Sequence, residues 1–362
     1  MSLEGELKVR LRLGERHIRH VEIVSTRPDV AQRLLQGRSR ADVQAAVPLL
    51  FSICGRSQAT AAALACGAAA GETASAEALA AARRGVAAEM LREVTWLSLL
   101  QWPQRLGESP SAQAVAAARW SLAAPASTPD AAQAISLAAF GMPAPQWLAI
   151  ETVAELQAWT EVGSTATARF IAQALASSLT APAARHPLLP APTDTAAIAS
   201  LCQAMDSDPD FARQPHWQAA AAETGALARH QDQPLLRALM AHDASRVVAR
   251  LVARLREMAL LLLDAHTVSL GTVQGPAGQA LAWVENARGL LMHHAQLDER
   301  GHQVQRYRIV APTEWNFRPG GPLALALADA PAPNASAARE SAMRLVHSLD
   351  PCVACDVEIE HA

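Results

Sequence analysis

The chain has 362 residues and a mass of 38.3 kDa, which allows one large domain or two. Its 51% hydrophobic and 18% charged residues argue for a well-buried globular chain and exclude a disordered tail. A formal charge of −3, with one tyrosine (Tyr307) among 4% aromatics, gives neither the basic footprint nor the stacking platform of a nucleic-acid binder.

In chain order, Leu7, Val9, Leu11 and Leu13 alternate with polar residues. Gly14-Glu15 then offers a turn before Ile18 to Val24, so a β-hairpin is expected. From Pro28 the pattern is helical; Gly37 ends the first helix, and Asp42 is the expected cap of the next, which runs toward Phe51. An alanine-rich helix after Gly55 is expected to be buried on most sides. Residues 73–180 read as helices punctuated by prolines, and four prolines between 181 and 193 predict a surface connection. Spacing near i, i+3, i+4 from Leu236 through Leu251 and Leu255 to Leu262 predicts one long core helix rather than a partner-binding stripe. Beyond Gly271, Ala280 to Val284 and Val304 to Val310 read as short strands. A last helix, roughly Ser336 to His347, leads into Cys352-Val-Ala-Cys355. The layout is α+β and predominantly helical, with small antiparallel sheet pieces near both termini.

No apolar run approaches the roughly 20 residues of a membrane span, and Met1-Ser2-Leu3-Glu4 does not open like a secretory signal. Five cysteines do not read as a disulfide framework and fit a reducing cytoplasm. A protein without membrane or nucleic-acid partners is expected.

Read alone, Cys352-x-x-Cys355 admits incidental thiols, thiol redox chemistry or metal ligation. Cys54, with Ser57 three positions on, looks like a C-x-x-C pair whose second member is missing. Cys66 and Cys202 lie in helical contexts and read as packed core thiols. Of His293 and His294, one is expected to be exposed and one buried. The block Glu285-Asn-Ala-Arg288-Gly289 reads as a salt-bridged turn with a buried arginine. Pro312-Thr313-Glu-Trp315-Asn316-Phe317 reads as a turn with an aromatic anchor.

In this order, the blocks resemble those of the large subunit of nickel-iron hydrogenases. Gln36-Gly37-Arg38 through Ile53-Cys54-Gly55 is similar to that family's first metal-binding region, and Glu285 to His293 to its arginine–glycine segment. Ala311 to Asn316 resembles its P-T-x-W-N segment, and Ser348 to Cys355 its C-terminal metal-binding region. The resemblance implies a large-subunit-like fold in a single domain, 1–362. Segments 27–70 and 280–362 would form a metal pocket around a helical middle, 73–266.

The family holds nickel and iron with two C-x-x-C pairs, the second cysteine of each bridging the metals. Here Ser57 replaces one bridging thiolate, and a hydroxyl is a poor donor to soft transition metals. Gln32 falls where the family carries a glutamate. Ala61 and Glu358 fall where it carries histidines, the latter at the cleavage point of a C-terminal extension. Glu4, in Leu3-Glu4-Gly5-Glu6-Leu7, resembles a proton-relaying glutamate. Arg288, Pro312 and Thr313 match the iron-ligand pocket, where the arginine and the hydroxyl contact the cyanides of Fe(CN)2(CO). An anionic iron unit suits a guanidinium and a hydroxyl donor.

An iron pocket kept and a nickel site broken resembles the HupK/HoxV type of hydrogenase accessory protein. That resemblance implies a non-enzymatic scaffold binding Fe(CN)2(CO) transiently through Cys54, Cys352 and Cys355, without stoichiometric nickel. Its implied partners are the hydrogenase maturation proteins carrying the same iron unit and the apo hydrogenase large subunit that receives it. A divergent active large subunit and a metal-free structural paralogue are the alternatives. Ser57 and Glu358 weigh against the first, and the three retained cysteines against the second.

Overall fold

Alternation along the N-terminus folds as the hairpin expected from it. In the computed structural model, which describes residues 5–26, 30–51, 53–122, 128–176, 184, 186–190, 192, 195–243, 245–264, 268–276 and 278–360, strands β1 (Glu6–Leu13) and β2 (Ile18–Ser25) pair antiparallel. Leu7, Val9 and Leu11 bury one face of β1. A second sheet orders β3 (Leu270–Gln274), β4 (Gln279–Asn286), β5 (Gly289–Leu297) and β6 (Val304–Val310) as an antiparallel meander. β5 has no counterpart among the expected strands, because its neighbours cover both faces and leave it almost wholly buried, with no alternation to read.

The last strand, β7 (Ala354–Glu360), was equally illegible. It runs parallel to β1 and joins the chain's two ends in one sheet. Lys8, Arg10 and Arg12 on the polar face of β1 meet Glu358 and Glu360 of β7. The Arg10 Nε to Glu358 Oε2 distance is 3.1 Å, and Arg12 Nη2 to Glu360 Oε2 is 3.5 Å.

Helices α1 (Val30–Leu35), α2 (Arg40–Ala46) and α3 (Gly55–Ala69) follow the hairpin. Gly37 takes φ +76°, and its N–H donates to the Val304 carbonyl at 2.8 Å, fastening the Gly-Arg block to β6. Ser39, not Asp42, caps α2. Ser39 lies extended and its hydroxyl accepts from the Asp42 N–H at 3.1 Å, which places Asp42 in the first turn. The predicted long helix is two, Pro234–His242 and Val247–Leu263. Between them the Asp243 carboxylate accepts from the Ser245 N–H and hydroxyl, and Arg246 enters the left-handed region.

The proline-rich connection lies partly outside the described residues. Of its described members, Pro187 is exposed as a surface connection would be, while His186, Leu189 and Pro192 are buried. The block beginning at Pro312 is a short helix, Pro312–Phe317, with proline in its first turn. The final helix, Ala335–Leu349, is capped by the Asn334 side chain. No helix among the described residues is long and apolar enough to cross a membrane.

The chain divides into two compact units. One comprises residues 1–83, 180–229 and 268–362; the other comprises 84–179 and 230–267. In the first, α3 lies against β4 and β5 over a core of Val43, Cys66, Ala282, Ala295 and Tyr307. The second is helical, with Phe140 stacked on Trp147 at 4.7 Å and Trp102 on Phe170 at 4.6 Å.

Candidate functional site

Cys54 occupies the capping position at the start of α3 and is buried. Ser57, fully buried three residues on, shares its helix face; it stands in the first turn and is not the cap. Ala61, one turn further, is also fully buried. Gln58 lies four residues from Cys54 and donates from its amide nitrogen to the Cys54 sulfur at 3.6 Å. Its amide oxygen meets His293 Nε2 at 2.8 Å, and His293 Nδ1 meets the Tyr307 hydroxyl at 2.7 Å.

Alternation along β5 sends His293 toward α3 and His294 to the other face of the sheet. Both faces are covered, so both imidazoles are fully buried, contrary to the expected one exposed and one buried. Burial pushes His293 down to about 3 and His294 to about 4, so both are neutral at ordinary pH. Neither ring nitrogen of His294 has a hydrogen-bond partner among the described residues.

The second part of the site gathers at the C-x-x-C segment. β4 and β5 close through the two residues Ala287 and Arg288, with Gly289 at φ +137°. The Asn286 side chain accepts from the Arg288 and Gly289 N–H groups at 2.9 and 3.2 Å, fixing the tip. The Glu285 carboxylate ties down the strand beneath it, 2.5 Å from Arg229 in a buried ion pair. Arg288 at the tip forms an ion pair with Asp350 at 3.5 Å. Asp350 ends the final helix at φ +54°, a conformation that a short polar side chain tolerates, and so turns the chain toward Cys352. There the Cys352 sulfur stands 3.0 Å from the Thr313 hydroxyl, and its N–H donates to that hydroxyl at 3.4 Å. Thus Arg288, Thr313 and Cys352, separated in sequence, come together around the turn Asp350–Cys352. Pro312 is buried beside Thr313 at the start of its helix.

A strap that sequence reasoning missed holds these parts in register. The Thr224 N–H donates to the Asn316 side-chain oxygen, and the Asn316 amide donates back to the Thr224 carbonyl, both at 3.0 Å. The Thr224 hydroxyl accepts from the Leu290 N–H at 2.8 Å. Thr224 therefore locks the helix carrying Thr313 to the hairpin carrying Arg288. A side chain on Gly289 would collide with Thr224 at 2.6 Å, which explains glycine there. The adjacent Thr224-Gly225 was the available signal.

Cys355 stands on β7 opposite Leu7, half-buried, and burial together with Asp356 pushes its thiol up to about 11. Cys66 and Cys202 are core thiols as expected, buried and pushed up to about 11. Glu4 lies outside the described residues. Among the described residues, no group of three or more His, Cys, Asp and Glu side chains stands together in a form able to hold a metal ion.

A family model described as nickel-dependent hydrogenase matches residues 193–358. The hydrogenase expression/formation protein HoxV of Cupriavidus necator is 33% identical over 93% of this chain and 92% of its own length. HupK of Rhizobium leguminosarum is 30% identical over 94% and 93% of the two chains, and HupV of Azotobacter chroococcum 30% identical over 99% and 100%. Among solved structures, the reduced Ni-Fe-Se hydrogenase of Desulfovibrio vulgaris Hildenborough matches with a TM-score of 0.58. It covers 94% of each chain at 16% identity, a likeness of fold alone. With its hydrogenase large-subunit fold and full-length similarity to HoxV, HupK and HupV, the chain belongs to the family of hydrogenase expression/formation proteins.

Proposed function

We propose that this protein is a cytoplasmic, non-enzymatic scaffold that takes up Fe(CN)2(CO) and delivers it to the apo large subunit of a nickel-iron hydrogenase. Maturation proteins that carry the same iron unit are its suppliers in this reading. The observation that carries the proposal is the 3.0 Å contact between the Thr313 hydroxyl and the Cys352 sulfur, beside the Arg288–Asp350 pair. The hydroxyl touches a thiol of the C-x-x-C segment, and the guanidinium pairs with Asp350 two residues before that thiol. Cyanide nitrogens are strong acceptors, and an iron unit bearing two cyanides and thiolates is anionic, so these donors match it in both charge and hydrogen bonding.

The ligand count agrees with this reading. Two cyanides and one CO leave three positions on a six-coordinate iron, and Cys54, Cys352 and Cys355 supply three sulfurs. The cargo arrives with half its ligands, so the thiols need not form a ready-made cage before it binds. Ser57, sharing the helix face of Cys54, offers a hydroxyl where a second metal would need a bridging thiolate. Nickel is therefore not retained, and hydrogen turnover is not expected.

The test is the metal content of protein purified from a host making hydrogenase, followed by mixing with apo large subunit. Iron without matching nickel, passing to the large subunit, is the expected result. Nickel equal to iron would overturn the reading.

A further inference from the structure

Gln58, His293 and Tyr307 form a buried polar chain that ends on Cys54, and the orientation of the Gln58 amide gives it a direction. The Gln58 amide turns its nitrogen toward the sulfur and its oxygen toward His293. His293 Nε2 must then carry the ring hydrogen, which leaves Nδ1 to accept from the Tyr307 hydroxyl. Burial pushes His293 down to about 3, so the ring carries one hydrogen rather than two. Three elements converge to build the chain. Gln58 shares the helix face of Cys54 on α3, His293 faces α3 from β5, and Tyr307 lies diagonally across on β6 with its ring edge-on to the imidazole at 5.6 Å.

Gln58, His293 and Tyr307 are all fully buried. Burying three polar side chains costs more than packing three apolar ones unless every bond is made, and in this chain the bonds run unbroken to the sulfur. We infer that Gln58, oriented by His293 and Tyr307, is a positioning residue that aims an N–H donor at the Cys54 sulfur and so weakens Cys54 as a ligand to the iron cargo. The inference rests on the proposed role of Cys54 as an iron ligand. A hydrogen bond to a thiolate withdraws electron density that would otherwise go to the metal. Together with the hydroxyl of Ser57 on the same helix face, it biases this end of the site toward release.

Two measurements test this. The first is nitrogen NMR of histidine-labelled apo protein, which reads the His293 tautomer without any cargo. Hydrogen on Nε2 is expected; hydrogen on Nδ1 would overturn the relay. The second compares infrared spectra and iron loss in wild-type, Gln58→Leu and Tyr307→Phe proteins loaded with Fe(CN)2(CO).

Gln58→Leu should hold iron roughly two- to tenfold longer, the range set by one net hydrogen bond. Its CO band should move to lower frequency, because a more electron-rich iron donates more into CO. Tyr307→Phe leaves His293 Nδ1 without its donor but keeps the Nε2 bond to Gln58, so it should move the CO band in the same direction by less than Gln58→Leu. A side chain needed only for packing would instead shed iron faster and leave the CO band in place, and that result would overturn the inference. Wild-type protein with no CO or cyanide bands would count against the iron reading itself, and the relay would then be decided by the tautomer alone.

Discussion

The two ends of the candidate site are built on opposite principles. Cys54 sits buried at the start of a helix packed on a four-stranded sheet, and its sulfur is addressed by a relay of fully buried side chains. Cys352 and Cys355 are half-buried on a turn and an edge strand, held by a loose ion pair, one hydroxyl and a ladder of exposed charges. A fixed, dry ligand can set the electronic character of a bound metal, while a half-exposed pair on a strand end can let cargo in and out. Under the proposed function, the first end would tune the bound iron and the second would exchange it.

The largest expected effect comes from removing either end's sulfur. Cys54→Ser, Cys352→Ser and Cys355→Ser should each abolish most iron retention, measured as iron per chain. Cys66→Ser and Cys202→Ser should lower thermal stability only. If loss of Cys54 alone left iron content unchanged, the buried end would be structural and the comparison would fail.

Acid should unseat the buried end. His293 and His294 have folded values of about 3 and about 4, below the ordinary 6.5, so between these values the unfolded chain binds more protons. Stability therefore falls as pH drops below 6.5, by about 2 kcal/mol per histidine at pH 5. Urea unfolding at pH 7 and pH 5 checks this. His294→Leu, which also removes two unpartnered ring nitrogens, should cut the acid loss by about half. Equal stability of the wild type at both pH values would contradict the burial of these rings.

Changes to the donors around Cys352 should have smaller effects than loss of its sulfur. Thr313→Val should weaken iron retention by roughly tenfold, about the worth of a hydrogen bond to a charged group. Arg288→Lys should weaken it as well, because lysine lacks the planar donor fork. Smallest of all, Glu358→Gln should leave iron content nearly unchanged but speed hydrogen exchange along β7, most visibly at low salt, since exposed charge pairs are weak and screened.

The same contrast explains what the sequence made legible. The N-terminal hairpin was readable from its period of two, and Cys54, Arg288, Thr313 and the C-x-x-C pair were readable as ordered blocks. β5 was not, because burial on both faces erases alternation and leaves Leu-Leu-Met-His-His-Ala looking like a short apolar run. β7 was not, because its acidic alternation has meaning only opposite the basic face of β1 at the far end of the chain. Asp42 looked like a cap, but the extended Ser39 three residues earlier took that place. Gln58 and His293, 235 positions apart, carry no local pattern at all. Their bond exists only because α3 packs on β5. The candidate ligands leave a mark in local sequence, whereas the side chains packed around them are assembled by tertiary packing.

If Fe(CN)2(CO) is the cargo, an infrared spectrum of the purified wild-type protein will show it. One CO band accompanied by two cyanide bands is expected, all lost together in Cys54→Ser and in Cys352→Ser. Iron-containing protein with no absorption in the CO and cyanide region, or bands unaffected by loss of either cysteine, would contradict it.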